Sequence, residues 1–235
     1  MSPGFRREQL RPRYDVAAIR EDDWHAYSGD RTFSLVAEQV AHFRHSSRWL
    51  LNAGSGVYEF HPGEWREVLL DLFQRPILNR RYPVCASVEQ LPFDQAVFGG
   101  IVCVGEVLAY CDPARSLAEF ARVIAPSGIL VFDFGSSRGI RYWLRSPYGR
   151  AAEIVTDQYN GVPERTWVYD PNYVRSLLAS NGFSITASWG THTWSALARR
   201  LGAPDALALS LQRAFHWLQL PPSWADVTTI AAVRP

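Results

Sequence analysis

A short apolar run that ends in a glycine turn constrains the fold of this chain more than any other feature. The run is Trp49 to Ala53 (WLLNA), and Gly54-Ser55-Gly56 follows it directly. Such a run, bounded by turn residues, is typical of a strand buried on both faces of a parallel sheet. Glycines after the strand allow a tight turn and let a ligand approach the backbone. The pattern therefore predicts a first parallel strand with a ligand-binding loop at its end.

The rest of the chain alternates between strand-like runs and helix signals. Six further runs are strand-like: Glu67 to Asp71, Pro83 to Ala86, Gly100 to Val104, Gly128 to Phe134, Phe183 to Trp189 and Val227 to Val233. Asp112-Pro113 and Asp170-Pro171 each combine a capping residue with a proline suited to the first helical position. Asp30 is a third candidate cap, for a helix from Thr32 to His45. This alternation predicts an α/β fold with a doubly wound, mostly parallel seven-stranded sheet.

The charge balance argues against a polyanionic partner. The chain has 24 basic and 23 acidic residues, a formal net charge of +1 at pH 7. No overall field therefore attracts nucleic acid or an anionic membrane. Every basic residue is an arginine, which excludes Schiff-base lysines and the phosphate-binding lysine of a P-loop. We predict a small-molecule partner and no nucleic-acid substrate.

Cysteine, histidine and hydropathy patterns exclude other classes. Cys85, Cys103 and Cys111 are odd in number and lack the spacing of a disulfide framework. His42 and His45 lie three positions apart without a third ligand nearby, so no metal site is predicted. No apolar stretch approaches the roughly 18 residues of a membrane span, and we expect a cytoplasmic protein.

The glycine turn has more than one interpretation on its residues alone. In a doubly wound sheet, Gly54 and Gly56 would lie against a ligand, and Asp71 would accept hydrogen bonds from ribose hydroxyls. The alternative is a plain turn whose glycines only relieve steric crowding. The third glycine of the dinucleotide fingerprint is missing, which disfavours NAD and FAD.

Four segments, taken together, carry a family resemblance. They are residues 50–56 (LLNAGSG), 88–93 (VEQLPF), 105–110 (GEVLAY) and 122–128 (RVIAPSG). In this order they resemble the motifs of class I S-adenosylmethionine (SAM) dependent methyltransferases: the first glycine motif, the Ala-Glu-x-Leu-Pro-Phe segment, the segment after strand four and the turn into strand five. The resemblance covers about residues 48–135. It implies a Rossmann-like methyltransferase fold, with SAM as cofactor and S-adenosylhomocysteine as product.

The resemblance also implies a set of cofactor-binding residues and a domain layout. The set is Asn52, Ala53, Gly54, Ser55 and Gly56 after the first strand, Asp71 and Leu72 after the second, Ser87 and Val88 beside the adenine, and Val104 and Glu106 after the fourth. Residues 1–47 would form an N-terminal helical cap segment, and residues 48–235 the SAM-binding domain with a substrate-cap insertion at about 136–170.

Departures from the family pattern leave a second function open. Asn52 and Ser87 stand where aspartates are common, and Tyr58 replaces the last glycine of the first motif. Only ten residues separate Gly56 from Glu67, so the usual first crossover helix must be absent or one turn long. The alternative is therefore a catalytically degenerate module that binds SAM or a partner protein without transferring methyl groups.

Catalytic residues are harder to identify. Methyl transfer from a sulfonium requires alignment and the exclusion of water, and it needs a base only if the acceptor is protonated. Glu106 and Asp133 are better explained as a cofactor contact and a core carboxylate. Tyr110 and His192 remain as candidates that would touch the acceptor.

Aromatic residues around the insertion predict a small hydrophobic or aromatic acceptor, methylated on oxygen or carbon. They are Trp24, Tyr27, Tyr142, Trp143, Tyr148, Tyr159, Trp167, Tyr169, Tyr173, Trp189, Trp194, Phe215 and Trp217. The alternative is that these rings pack inside a cap or form a homodimer contact. A nearby run of arginines, which we expect on a solvated helix face, comprises Arg138, Arg141, Arg145 and Arg150.

Overall fold

The described part of the chain forms nine strands and six α-helices. A computed structural model describes residues 23–41, 43–60, 63–159, 162–218 and 220–235. The strands are β1 (Trp49–Ala53), β2 (Arg66–Asp71), β3 (Pro83–Cys85), β4 (Phe98–Cys103), β5 (Ile124–Gly135), β6 (Ala152–Tyr159), β7 (Val162–Tyr169), β8 (Ser184–Thr191) and β9 (Val227–Val233). The helices are α1 (Asp23–Ala41), α2 (Gln74–Ile77), α3 (Pro113–Val123), α4 (Pro171–Ser180), α5 (Thr193–Arg200) and α6 (Asp205–Ala214).

Seven strands form one sheet, which confirms the predicted fold class. Their order is β3-β2-β1-β4-β5-β9-β8, and β6 pairs with β7 in a separate hairpin. The pairings from β3 to β5 are parallel, and β9 runs antiparallel to both of its neighbours. The strand order reverses between β1 and β4. In open sheets of this kind, ligands bind beyond the carboxyl ends of the strands at that reversal.

Helices cover both faces of the sheet. On one face, Val36 and Val40 of α1 pack against Leu50 and Val102. On the other face, Phe120 of α3 and side chains of α4 pack into a larger core. Each fully buried aliphatic or aromatic side chain contributes about 1.5–3 kcal/mol to stability. These layers hold the carboxyl ends of β1 and β4 rigidly at one edge.

The connection from β1 to β2 contains no helix in its described residues, as its length predicts. The Glu67 carboxylate holds this loop, because it accepts hydrogen bonds from the Phe60 amide at 3.0 and 3.1 Å and from the Asn52 side chain at 2.8 Å. The Phe33 ring of α1 packs against the rings of Tyr58 and Phe60, with centroids 4.9 and 4.8 Å apart. Hydrogen bonds and α1 thus replace the support that a crossover helix would give.

Replacing Glu67 with alanine should therefore destabilise the fold. The Phe60 and Asn52 donors would lose their charged acceptor, so we expect the free energy of unfolding to fall by about 3 kcal/mol. Urea denaturation measures this loss. The control is Glu64→Ala, since Glu64 is largely exposed and its pair with Arg48 at 3.3 Å should contribute less than about 1 kcal/mol. Equal losses in the two variants would contradict the role given to Glu67.

The N-terminal helix begins earlier than the sequence predicts. It runs from Asp23 to Ala41, so Asp30 lies inside the helix and does not cap it. Gly29 and Asp30 favour turns, but this preference is outweighed by the contacts that the preceding turn of the helix makes with a distant segment. There, Ser28 Oγ hydrogen-bonds to His192, and the Tyr27 ring lies 5.4 Å from the His192 ring. His45 is not helical, and its ring contacts the Pro126 carbonyl at 2.9 Å.

The described residues of the insertion, 136–159 and 162–170, contain no α-helix. They form a short 3-10 turn at Ile140–Tyr142 and the β6–β7 hairpin. The prediction that its arginines share a helix face was wrong. Instead, most of them pair with carboxylates: Arg138 with Asp170 at 2.8 Å, Arg141 with Asp226 at 3.7 Å and Arg150 with Glu153 at 3.0 Å.

None of the described helices is long and apolar enough to span a bilayer.

Candidate functional site

Two glycine loops meet beyond the carboxyl ends of β1 and β4. Gly54 has a φ of +78°, and a Cβ there would overlap Cγ2 of Val107 and lie 2.9 Å from its Cγ1. Gly56 and Gly105 also have positive φ, but a Cβ at either would meet no atom within 4 Å. Glycine at 54 therefore lets the loops touch, while the space beside the backbones at 56 and 105 is open.

Asp71 anchors the first loop from the end of β2. Its Oδ2 accepts a hydrogen bond from the Gly56 amide at 2.9 Å, and its Oδ1 accepts one from the Phe73 amide at 2.9 Å. Burial raises the pKa of Asp71, and the hydrogen bonds from the backbone amides oppose that shift. A third backbone amide, that of Leu72, also interacts with this carboxylate, so three of its four lone pairs are engaged and one is left for a ligand. Asp71 can therefore accept a ligand hydroxyl while it holds the loop.

Asp133 anchors the second loop from β5. It is buried, and its oxygens accept hydrogen bonds from the amides of Gly105 at 3.0 Å and Glu106 at 2.8 Å. These bonds hold Glu106 at a φ of 58°, in the left-handed region. Asp133 is thus a positioning residue for the loop, as its place in an apolar run suggested.

The buried Asp133 carboxylate should make stability depend on pH. Burial raises its pKa from 3.8 to about 6, so the folded chain binds this proton more tightly than the unfolded chain. The contribution of this group to stability is therefore greatest below about pH 4 and falls by about 3 kcal/mol as pH rises through 6. We expect Asp133→Asn to remove this component from the pH profile of the unfolding free energy. An unchanged profile would contradict the assignment.

Ser55 and Asn52 differ in what they leave for a ligand. The Ser55 hydroxyl is buried between the two glycines and has no hydrogen-bond partner among the described residues. Ser188, Thr191 and Thr229 also carry buried hydroxyls without such a partner, so the Ser55 hydroxyl is free to bind a ligand but does not by itself identify one. The Asn52 amide instead donates to Glu67 and to the Tyr58 carbonyl, so its side chain shapes the loop.

A third segment, residues 87–93, is clamped from α3. Arg122 donates to the carbonyls of Phe93 at 2.6 Å and Leu91 at 2.9 Å, and Glu119 accepts from the Leu91 amide at 2.7 Å. The hydrogen bond from Arg122 lowers the pKa of Glu119. Val88 is buried in the core, and Ser87 lies half-buried at the turn after β3. This clamp gives the arginine of the fourth motif a physical role.

Residues 46–132 match the model of a methyltransferase domain family. This part of the chain is a methyltransferase domain, with the fold of the class I SAM-dependent methyltransferases. The matched residues include every loop described above, and SAM is accordingly the cofactor. The predicted family, fold and cofactor are thereby confirmed.

Solved structures share the fold of this methyltransferase at low sequence identity. A Listeria monocytogenes protein assigned as a SAM-dependent methyltransferase is 12% identical, with a TM-score of 0.63 over 88% of this chain and 98% of that one. Geranyl diphosphate C-methyltransferase from Streptomyces coelicolor A3(2) is 14% identical, with a TM-score of 0.56 over 94% and 90%. The [4+2]-cyclase SpnF is 17% identical, with a TM-score of 0.56 over 88% and 81%. No curated protein sequence matches the chain significantly.

The loops of the methyltransferase fit SAM in three respects. The Ser55 hydroxyl is unpaired among the described residues, the space beside Gly56 and Gly105 is open, and the Asp71 carboxylate holds the Gly56 amide, all at the carboxyl ends of β1, β2 and β4. Leu72 and Val104 are half-buried beside these loops, and Ala53 is fully buried beneath them. The described residues contain no cluster of three or more metal-ligating side chains.

The candidate catalytic residues lie at the same edge but are partly committed to the fold. His192 is buried at the carboxyl end of β8, where its Nε2 contacts Ser28 Oγ and its Nδ1 lies 3.0 Å from Ser195 Oγ. Tyr110 ends the 3-10 turn after β4 and is half-buried. His192 therefore joins α1 to α5 through hydrogen bonds at both ring nitrogens.

The predicted aromatic residues do not form one wall. Tyr169 is core, and its hydroxyl donates to the carbonyls of Leu108 at 3.1 Å and Cys111 at 3.0 Å. Trp143 and Trp217 are exposed, on the outer side of the cap. The side chains of Trp24 and Tyr159 lie outside the described part of the chain. Of the set, Tyr27 and Trp167 are half-buried near the site, where Tyr27 faces His192 and the Trp167 carbonyl lies near Gly135.

Proposed function

We propose that this methyltransferase transfers the methyl group of SAM to a small, hydrophobic or aromatic acceptor, on oxygen or carbon. The observation that carries the proposal is the pair of glycine loops after β1 and β4, where the space beside the Gly56 and Gly105 backbones is open and Asp71 anchors the first loop. The proposed cofactor contacts are Asn52 through Gly56 by backbone, Asp71 and Leu72, Ser87 and Val88, and Val104 and Glu106.

The acceptor class follows from what the polar groups at this edge already do. The Asp133 oxygens, the His192 nitrogens and the Tyr169 hydroxyl are all hydrogen-bonded within the chain. A charged acceptor would find these groups occupied, which favours an uncharged one, and the Tyr27 ring beside His192 favours an apolar one. Residues 1–47 and the insertion at 136–170 would select it.

Catalysis would then rest on alignment and on a dry cleft. Bound SAM supplies an electrophilic methyl group on a sulfonium. The chain would hold the cofactor with the rigid loops after β1, β2 and β4 and exclude water with α1 and the insertion. Tyr110 and His192 would orient the acceptor or its neighbours, and the proposal needs no protein base.

Turnover with matched acceptors tests this function. The protein is incubated with methyl-labelled SAM and with uncharged phenols or quinols, each beside its carboxylated analogue. We expect label in the uncharged acceptor with kcat/KM at least about tenfold higher, and no label with Gly54→Arg. A preference for the carboxylated acceptors would contradict the acceptor class. Binding of S-adenosylhomocysteine without transfer to any acceptor would favour the catalytically degenerate module.

A further inference from the structure

The exposed apolar side chains concentrate in part of the insertion and in the segments between β8 and β9. Nine of the thirteen large apolar side chains that are exposed in the described residues lie on segments 140–150, 193–218 and 222–224. They are Trp143, Leu144, Tyr148, Leu201, Leu207, Phe215, Trp217, Leu218 and Trp224. We call their exposed surface the cap face. Leu144 is 92% exposed, Leu201 80% and Trp217 68%, which is unusual for residues of this size.

Contacts join the three segments that carry the cap face. The rings of Trp143 and Trp224 lie 6.4 Å apart. The side chain of Arg200 reaches the Arg141 carbonyl at 3.4 Å, which joins α5 to the 3-10 turn at Ile140–Tyr142. The indole of Trp194 donates to the Leu218 carbonyl at 3.1 Å, which joins α5 to the segment after α6.

Two of the exposed leucines belong to α6 and to the segment after it. Ala208, Leu209 and Gln212 of α6 are buried, and Gln212 accepts hydrogen bonds from the amides at the start of α5. Leu207 is exposed on the same helix, and Leu218, four residues beyond its end, is exposed as well.

Positive charge surrounds this apolar surface. Arg145, Arg200 and Arg213 lie beside its exposed leucines and tryptophans and form no ion pair with the described carboxylates. Segments 140–150 and 193–218 carry six arginines and one acidic residue, Asp205, although the whole chain has a net charge of only +1. Three of these six arginines are paired with carboxylates, Arg141 with Asp226, Arg150 with Glu153 and Arg199 with Asp205, which leaves three arginines of these segments outside such pairs.

We propose that the cap face docks on the surface of an anionic lipid bilayer. Exposed tryptophans and leucines, with arginines around them, match the chemistry of an interfacial segment that buries apolar groups among acyl chains and pairs cations with phosphate groups. A second copy of the chain fits less well, because a symmetric contact would bring the same unpaired arginines together. The proposal is independent of the acceptor, since it concerns the cap face.

Vesicle co-sedimentation without cofactor tests the docking. Vesicles of phosphatidylcholine alone are compared with vesicles that contain about 30% phosphatidylglycerol. We expect binding to the anionic vesicles that weakens with salt and little binding to the neutral ones. Leu207→Ser with Trp217→Ser should lower partition at least tenfold, and Arg145→Gln and Arg213→Gln about fivefold each. All four side chains are exposed, so the variants should keep their thermal stability and their affinity for S-adenosylhomocysteine.

Matched substitutions elsewhere provide the control. Leu78 is 55% exposed, close to the 50% of Leu207, but it follows α2 at the opposite end of the sheet. Arg115 is an exposed arginine on α3. Leu78→Ser and Arg115→Gln should leave partition within about twofold of the parent. Equal binding by cap-face and control variants would overturn the proposal. A monomer–dimer equilibrium that sedimentation velocity detects and that Trp217→Ser abolishes would also overturn the proposal, because the surface would then bind a second copy of the chain.

Discussion

Replacement of Gly54 with arginine is expected to abolish SAM binding. The φ of +78° already disfavours any side chain, and the first atom of that side chain would overlap Val107 of the neighbouring loop. The loop after β1 would be forced away from the loop after β4, and the arginine would fill the cleft between them. We expect the affinity for SAM to fall more than about 100-fold in isothermal titration. Gly54→Ala should lose affinity too, because the overlap begins at Cβ.

Gly182→Ala is the matched control for backbone strain. Gly182 has a φ of +77° after α4, nearly the same as Gly54, but a Cβ there would meet no atom within 4 Å. It should cost about 1 kcal/mol of stability and leave SAM affinity unchanged. If Gly54→Ala bound SAM as tightly as Gly182→Ala, the contact between the two glycine loops would not be part of the site.

Replacement of Asp71 with alanine should have the second largest effect on the cofactor. It would remove the acceptor for the Gly56 and Phe73 amides and the proposed acceptor for the ribose hydroxyls. Hydrogen bonds to a charged group contribute about 1.5–3 kcal/mol each, so we expect SAM affinity to fall about 10- to 100-fold. Asp71→Asn should also weaken binding, because its amide group would turn a donor toward one of the two backbone donors.

Asp170→Asn controls for the loss of a buried carboxylate. Asp170 is as buried as Asp71, at 5% exposed, and accepts from the Asn172 amide and from Arg138. We expect a lower melting temperature with unchanged SAM affinity. Similar affinity losses in the Asp71 and Asp170 variants would show that general destabilisation, and not a ribose contact, explains the effect.

The sheet and its ligand edge could be predicted because local patterns agree with the fold there. All seven predicted strands occur, and β9 has the predicted bounds. The two Asp-Pro signals begin α3 and α4, where Asp112 and Asp170 accept hydrogen bonds from the first-turn amides. Apolar runs and caps act over a few residues, so the sequence alone can reveal them.

Contacts between distant segments could not be predicted in this way. The Val107 side chain that fixes Gly54, and the Glu67 carboxylate that ties the shortened loop, act across the gap between neighbouring strands. The clamp of Arg122 on residues 91–93 joins positions about thirty apart in sequence. The types of these residues do not indicate such long-range contacts in the sequence. Arg122 lies in a segment, residues 122–128, that the family resemblance had singled out.

The cap was the least predictable region. The β6–β7 hairpin contains Thr, Val, Ile, Tyr and Trp in abundance, but its strands also carry Glu153, Asp157, Glu164 and Arg165, which mask the alternation of a half-buried strand. The start of α1 was misplaced because the contact of Ser28 with His192, far away in sequence, outweighs the turn preference of Gly29 and Asp30.

Isothermal titration of the unmodified protein tests the central claim most directly. SAM, S-adenosylhomocysteine and NAD are titrated separately at the same pH and salt concentration. The geometry of the glycine loops predicts micromolar binding of the first two and no heat from NAD, because the third glycine that packs below a pyrophosphate is missing. Binding of NAD in place of SAM, or no binding of SAM and S-adenosylhomocysteine, would contradict the cofactor site described for this methyltransferase.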